Sequence, residues 1–323
     1  MNRSTLLMTP LAAVGLAALL FGGMMAVPLR GAAPLPSIHA GALSIDQQQK
    51  PDLSRFQARD GTWLAYRHYP ARGADRVAIL THGSSASSDE MHVIGRALAA
   101  AGVAAVAIDA RGHGASGTRG DSGYIGQLDD DLADLVGALR NTYPTQKLEL
   151  IGHSSGGGFV ARAAGGQIGA LFDRLILLSP FLGSDAPTNR PDEGQPKWAQ
   201  VDVPRIIALA ILSRIGVTWG QDLPVIAFAT APESAMFVTS RYSYRLLADY
   251  GPSWSWSDTR NALQANAART IVIAGENDEL MNPPSYTTIL EPLGAKVLLI
   301  PGADHMGIVY RPAALDAIVA AAK

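Results

Sequence analysis

The sequence contains no cysteine. That absence excludes disulfides, a thiolate nucleophile and a cysteine-ligated zinc site, while leaving the cellular compartment open. Charge of either sign is scarce. Charged residues make up 17% of the chain, and Lys+Arg 26 against Asp+Glu 28 gives a net charge of −2. There is no basic block, so the electrostatic footprint of a nucleic-acid binder is missing. No internal repeat is visible, and few stretches are of low complexity. Apolar residues are abundant: 48% of 323 are hydrophobic, enough for one large α/β domain with an insertion.

Charge is also absent from one long run near the start. Arg3 is followed by an uncharged stretch from Ser4 to Leu29, 26 residues centred on Leu11–Phe21. A secretory apolar region spans roughly 7–15 residues and a membrane-crossing helix about 20, so residues 1–30 read as a signal-anchor or a signal peptide. Positive charge ahead of the run sets the N-terminus inside, although Arg30 weakens that contrast. The expected location is membrane-anchored with the catalytic domain outside the cytoplasm, the alternative being export after cleavage. Residues 31–54, with Pro34, Pro36 and Gln47-Gln48-Gln49, read as a tether.

From Phe56 the pattern becomes regular. Two short runs around Asp60-Gly61 predict a hairpin. Apolar strands are predicted at Arg76–Leu80, Val103–Ile108, Leu148–Ile151, Arg174–Leu178, Thr270–Ala274 and Lys296–Ile300. Helical spacing follows several of them, as in Leu128, Leu132, Leu135 and Leu139. Strands apolar on both faces and alternating with helices predict a mostly parallel, doubly wound sheet covered on both sides. The rhythm breaks between residues 181 and 267, where Pro-rich loops and apolar helical stretches predict a helical cap inserted between core segments 55–180 and 268–323. Four of the five tryptophans fall there (Trp198, Trp219, Trp254, Trp256), and with Ile206, Ile207, Leu209 and Ile211 they are candidates for the wall of an apolar pocket.

The chemistry centres on Gly152-His153-Ser154-Ser155-Gly156, a Gly-x-Ser-x-Gly sequence at the end of a strand and the start of a helix. Such a turn exposes the serine hydroxyl at its apex beside a helix N-terminus. Alone the pattern is weak, with about 0.2 matches expected by chance in a chain this rich in glycine and serine. Its weight comes from partners. A serine needs a base, and the base an orienting acid. The strand at 271–274 runs into Gly275-Glu276-Asn277-Asp278, and the strand at 297–300 into Pro301-Gly302-Ala303-Asp304-His305. Ser154, Asp278 and His305 then form the candidate triad, with Glu276 and Asp304 competing for the acid role. The backbone N–H groups of Ser155 and Ser84 are the candidate oxyanion donors. His82, His113 and His153 read as structural, and Asp109 as ordering its own loop. No motif calls for a metal or a cofactor.

His82-Gly83, Asp109-Ala110-Arg111-Gly112-His113-Gly114, Gly152-His153-Ser154-Ser155-Gly156-Gly157, Gly275-Glu276-Asn277-Asp278 and Asp304-His305 together resemble the α/β-hydrolase superfamily. Within it they are similar to the branch of monoacylglycerol lipases, lysophospholipases and serine aminopeptidases. The resemblance runs from about Arg55 to the C-terminus. It implies an α/β-hydrolase fold, a triad at Ser154, Asp278 and His305, and oxyanion donors at Ser84 and Ser155. It also implies cleavage of carboxylic esters with hydrophobic or lipid-like acyl groups through an acyl-enzyme. Peptide or amide hydrolysis on the same fold, and a catalytically silent binding protein, are the alternatives. The cap matches nothing residue by residue, so the substrate's identity does not follow.

Overall fold

The computed structural model describes residues 15–16, 19–191, 194, 197–231 and 238–323. Residues 19–26 are helical, and α1 (Pro36–Leu43) follows. The main domain begins with β1 (Leu53–Gln57) and β2 (Trp63–Tyr69), an antiparallel hairpin turned at Gly61. It continues through β3 (Arg76–Thr81), α2 (His92–Ala100), β4 (Ala104–Ile108), α3 (Gln127–Leu139), β5 (Lys147–His153), α4 (Ser155–Gly165) and β6 (Arg174–Leu178). The inserted region contains β7 (Ala199–Val201), α5 (Val203–Arg214), β8 (Pro224–Phe228), β9 (Arg241–Ser243) and α6 (Tyr244–Asp249). The chain closes with α7 (Trp256–Ala265), β10 (Thr270–Gly275), α8 (Pro283–Leu290), β11 (Lys296–Ile300) and α9 (Pro312–Ala322).

Eight strands form one sheet in the order β1-β2-β4-β3-β5-β6-β10-β11. Only the pairings of β2, with β1 and with β4, are antiparallel. The apolar runs are explained by alternation within a sheet covered on both faces. In β3, Val77 and Ile79 enter one core layer with Leu132 of α3 and Phe159 of α4. Ala78 and Leu80 enter the other, with Ile94 of α2 and Ile318 of α9. Each of these large apolar side chains contributes about 1.5–3 kcal/mol on burial. That is ample to hold strained turns at the strand ends.

The expected parallel, doubly wound sheet is present, whereas three other expectations need correction. The cap is not purely helical: β7, β8 and β9 form a small antiparallel sheet. Two of these strands have three residues each, too short for alternation to register in sequence. At the end of the expected insertion, α7 rejoins the main domain. Its Asn266 C-cap donates from Nδ2 to Ala164 O at 3.1 Å, the Cβ of Ala262 lies against Gly165, and Leu263 is buried in the main core. Finally, residues 31–54 are no loose tether. Leu35 N–H donates to Ala229 O at 3.1 Å, and Leu35, Ile38 and Ile45 are buried.

Of the expected membrane segment, residues 1–14 and 17–18 lie outside the described residues. Among the described residues no helix is long and apolar enough to cross a membrane. The end of the run rests on the cap: Arg205 of α5 donates to the carbonyls of Met25 and Val27, and Met25 packs on the cluster of Leu209, Val225 and Tyr244.

Candidate active site

The site lies beyond the C-terminal ends of the parallel strands, where open α/β sheets present their loops. Ser154 stands between β5 and α4 with φ 52° and ψ −117°. Holding a non-glycine residue there costs about 1–3 kcal/mol, which the packed strand and helix on either side over-determine. The crossing requires glycine at two places. A Cβ on Gly152 would lie 2.3 Å from Gly156 O, and one on Gly156 would lie 2.4 Å from His82 O. Positive φ recurs at Ser85 (71°) after β3 and at Ser179 (40°) after β6, so backbone strain gathers along the crest of the sheet.

The loop after β10 meets the loop after β11 through Glu276 N–H to Ile300 O and Asn277 N–H to Ala303 O. This brings Asp278 Oδ2 to 2.8 Å from His305 Nδ1. The other carboxylate oxygen, Oδ1, accepts the N–H groups of Leu280 and Met281, both at 2.9 Å. Both side chains are buried. Burial works to raise the Asp278 pKa. The charge and hydrogen bond of His305, with the backbone donor of Met281 and the Ser179 hydroxyl, override it and hold the carboxyl at about 2. For His305 burial opposes the charged form, but Asp278 outweighs that, and the imidazole titrates above its ordinary value. The two competing carboxylates are elsewhere. Glu276 is exposed, and Asp304 Oδ1 accepts Gly307 N–H at 2.6 Å to close its own turn.

Ser154 and His305 line one cleft of about 610 Å³, part of it open to solvent. No hydrogen bond joins Ser154 Oγ to the His305 ring, a looseness common before substrate binds. Ser155 is the first residue of α4, where an amide has no intrahelical acceptor. The Ser84 amide makes no hydrogen bond to another described residue, and Ser84 too lines the cleft. Of the five sequence-predicted positions, Ser84, Ser154 and His305 line the cleft; Asp278 is buried behind the His305 ring, and Ser155 follows Ser154 at the start of α4.

A second layer of residues, not assigned by sequence, fixes these positions. Glu90 Oε1 accepts Gly83 N–H at 2.7 Å and lies 2.8 Å from His153 Nδ1, while His153 Nε2 meets His305 O at 3.2 Å. One buried carboxylate thereby connects the loop after β3 to the backbone of His305. Burial opposes the Glu90 charge, but the neighbouring His153 outweighs it and keeps the carboxyl below its ordinary value. From the cap, Trp198 Nε1 donates to Ser84 Oγ at 2.8 Å, and Tyr242 Oη accepts Ser85 N–H at 3.0 Å. Tyr250 Oη donates to His82 O. His153 stands at the variable position of the Gly-x-Ser-x-Gly turn; nothing in the sequence points to Glu90, and the tryptophan pattern marks Trp198 as an apolar wall but not as a donor to Ser84.

Two further histidines, His82 and His113, hold loops. His82 Nδ1 meets Gly83 O at 2.7 Å and His113 Nε2 meets Tyr242 Oη at 2.6 Å. Burial pushes both imidazoles toward the neutral form. Asp109 orders its loop by accepting the N–H groups of Ser88 and Ala115, each at 2.8 Å. The expected apolar wall is composed differently. Of the four cap tryptophans only Trp198 lines the cleft, with Ile38, Ala42, Val238, Leu280 and Met306 among its apolar neighbours. Trp219 and Trp254 are exposed, and Trp256 packs against the main core. Leu209 is buried within the cap, while Ile207 and Ile211 face solvent on α5. Among the described residues no group of His, Asp and Glu could hold a metal ion.

A family described as serine aminopeptidase, S33, matches residues 73–308. The chain belongs to this family. It lies in the α/β-hydrolase branch that also holds monoacylglycerol lipases. A monoacylglycerol lipase of Mycolicibacterium smegmatis is 33% identical over 109 residues, 33% of this chain and 39% of the lipase. The chain therefore spans about two fifths of that curated relative. Among solved structures, a soluble variant of monoglyceride lipase from Saccharomyces cerevisiae, in complex with a substrate analogue, superposes with a TM-score of 0.61. It is 16% identical, covering 86% of this chain and 95% of that one. A membrane phospholipase A, described as a bacterial virulence factor, gives a TM-score of 0.52 at 17% identity, over 98% of this chain and 99% of its own. These structures are alike in fold.

Proposed function

We propose that the protein is a serine hydrolase cleaving carboxylic esters of hydrophobic, lipid-like acyl groups. The observation that carries this reading is the convergence of Ser154, at a strained strand–helix turn, with an Asp278–His305 pair on one apolar-walled cleft. In this account His305 Nε2 takes the proton of Ser154 Oγ as the hydroxyl attacks the ester carbonyl. Asp278 holds the other ring nitrogen protonated and stabilises the imidazolium. The amides of Ser84 and Ser155 receive the developing oxyanion. His305 then protonates the departing alkoxide, and a water molecule, deprotonated by the same imidazole, hydrolyses the acyl-enzyme. The similarity to a monoacylglycerol lipase supports the lipid-ester class.

The same reading places the enzyme at a membrane, held by the uncharged run from Ser4 to Leu29 with the main domain outside the cytoplasm. Full-length protein should then stay with membranes in high salt, which weakens surface charge contacts but not apolar insertion. Mature protein found free and shorter by about thirty residues means a cleaved signal instead.

The functional test is turnover of p-nitrophenyl esters from acetate to dodecanoate beside an aminoacyl arylamide. Ester hydrolysis that disappears in Ser154→Ala supports the reading. Cleavage of the arylamide with no ester turnover overturns it in favour of peptide chemistry.

A further inference from the structure

The helix α1 lies outside residues 73–308, the part matched by the family, yet it forms one side of the cleft that holds Ser154. Ile38 and Ala42 face the cleft from successive turns, and Leu280 and Met306 line it with them. Ile38 is 7% exposed and shares its core layer with Met91 and Met306, so this side of the cleft is seated in the domain. The seating is close at Gly41, where an added Cβ would lie 2.4 Å from the Cβ of Met306, the residue after His305.

Both ends of the segment are pinned. At the start, Leu35 N–H bonds to the carbonyl of Ala229, itself a residue of the cleft. Past the end, Asp46 pairs with Arg96 of α2 at 3.0 Å, Lys50 pairs with Asp89 at 2.8 Å, and Gln48 O meets His92 Nε2 at 2.9 Å. Surface ion pairs contribute little singly. The two pairs and the Gln48–His92 hydrogen bond, together with the buried Leu35, Ile38 and Ile45, fix α1 against the domain.

We propose that α1 is a specificity element, a fixed wall whose Ile38 and Ala42 set the length of acyl chain the cleft accepts. The inference rests on the hydrolase reading above. This role requires that side chains at 38 and 42 meet the acyl chain away from the ester carbonyl. Enlarging position 42 therefore shortens the usable cleft, and shifting α1 at Gly41 misaligns it.

The experiment measures rates of covalent labelling of Ser154 in the full-length protein by alkyl fluorophosphonates with methyl to dodecyl chains. The readout is the ratio of dodecyl to methyl rates, which needs no ester turnover. Ala42→Trp should lower this ratio at least tenfold, and Gly41→Ala should lower it severalfold. Ala42 is solvent-accessible, so its replacement leaves the core intact, and unchanged thermal unfolding checks this. Trp219→Ala, on the outer surface of the cap, should leave both rates as in the wild type. An unchanged ratio in Ala42→Trp overturns the role of α1 and leaves the hydrolase reading standing. A shifted ratio in a protein that turns over no ester overturns the ester reading and leaves the wall in place.

Discussion

The two sides of the cleft are built by different means. On the sheet side, polar groups are fixed by directional bonds to backbone: Asp278 accepts two amides and the His305 ring, and Glu90 ties Gly83 to His153. Elsewhere in the lining, Ile38, Ala42 and Val238 present apolar side chains, which make no directional bonds. Trp198 crosses between them with one indole hydrogen bond to Ser84. Removing one partner of a buried polar pair leaves the other unsatisfied, whereas apolar walls tolerate substitutions of similar volume. Chemistry should therefore be brittle on the sheet side and selectivity adjustable on the other.

The sharpest way to break this contrast is at the nucleophile. Ser154→Ala deletes one hydroxyl and should lower kcat by about 10⁶-fold while the protein stays folded, as loss of the serine does in comparable triads. Losing His305 as well should add little, because the groups act as a unit. Turnover near wild type in Ser154→Ala contradicts the assignment.

Next in size is the acid. Asp278→Asn should lower kcat by about 10⁴-fold by favouring the wrong imidazole tautomer. A comparable loss in Asp304→Asn or Glu276→Gln instead would move the orienting role to another carboxylate. The same substitution has a pH signature. His305 must be neutral to act as base, and its pKa is raised above the ordinary value of 6.5. The kcat/KM profile should thus fall with acidification through an inflection above 6.5. In Asp278→Asn the burial that opposes the imidazolium remains while the counter-charge is gone, so the inflection should move to lower pH. An inflection that stays in place means another group controls the acid limb.

How far these features could be read from sequence follows the same division. Ser154, Asp278 and His305 stand just past strands whose apolar runs mark their own ends, so spacing along the chain located them. The strands β7 and β9 are hidden by their shortness. The helix α1 was misread because Pro34, Pro36 and the three glutamines suggested a linker. Yet Leu35, Ile38, Ala42 and Ile45 follow helical spacing, a signal diluted by the glycine and alanine between them. The tryptophans misled in the opposite direction. Aromatic composition marked the cap, but only tertiary packing decides which ring faces the cleft.

Smaller effects sharpen the contrast from the other side. Trp198→Phe keeps the apolar ring and removes the donor to Ser84, so kcat/KM should drop by about two- to tenfold, the net value of one hydrogen bond. A larger loss on long esters alone would recast Trp198 as a chain-length reader. Smallest of all, Trp254→Ala removes an exposed ring stacked on Tyr244 and should change esterase selectivity by less than about twofold. A clear change in chain preference there would return the outer cap to the pocket.

The most direct test of the central claim is to locate the reactive residue. The full-length protein is treated with a fluorophosphonate, digested and mapped by mass spectrometry. A single modified peptide containing Ser154 is expected, with labelling abolished in Ser154→Ala and slowed by orders of magnitude in His305→Ala. Modification at any other residue, or undiminished labelling of Ser154→Ala, would contradict the account.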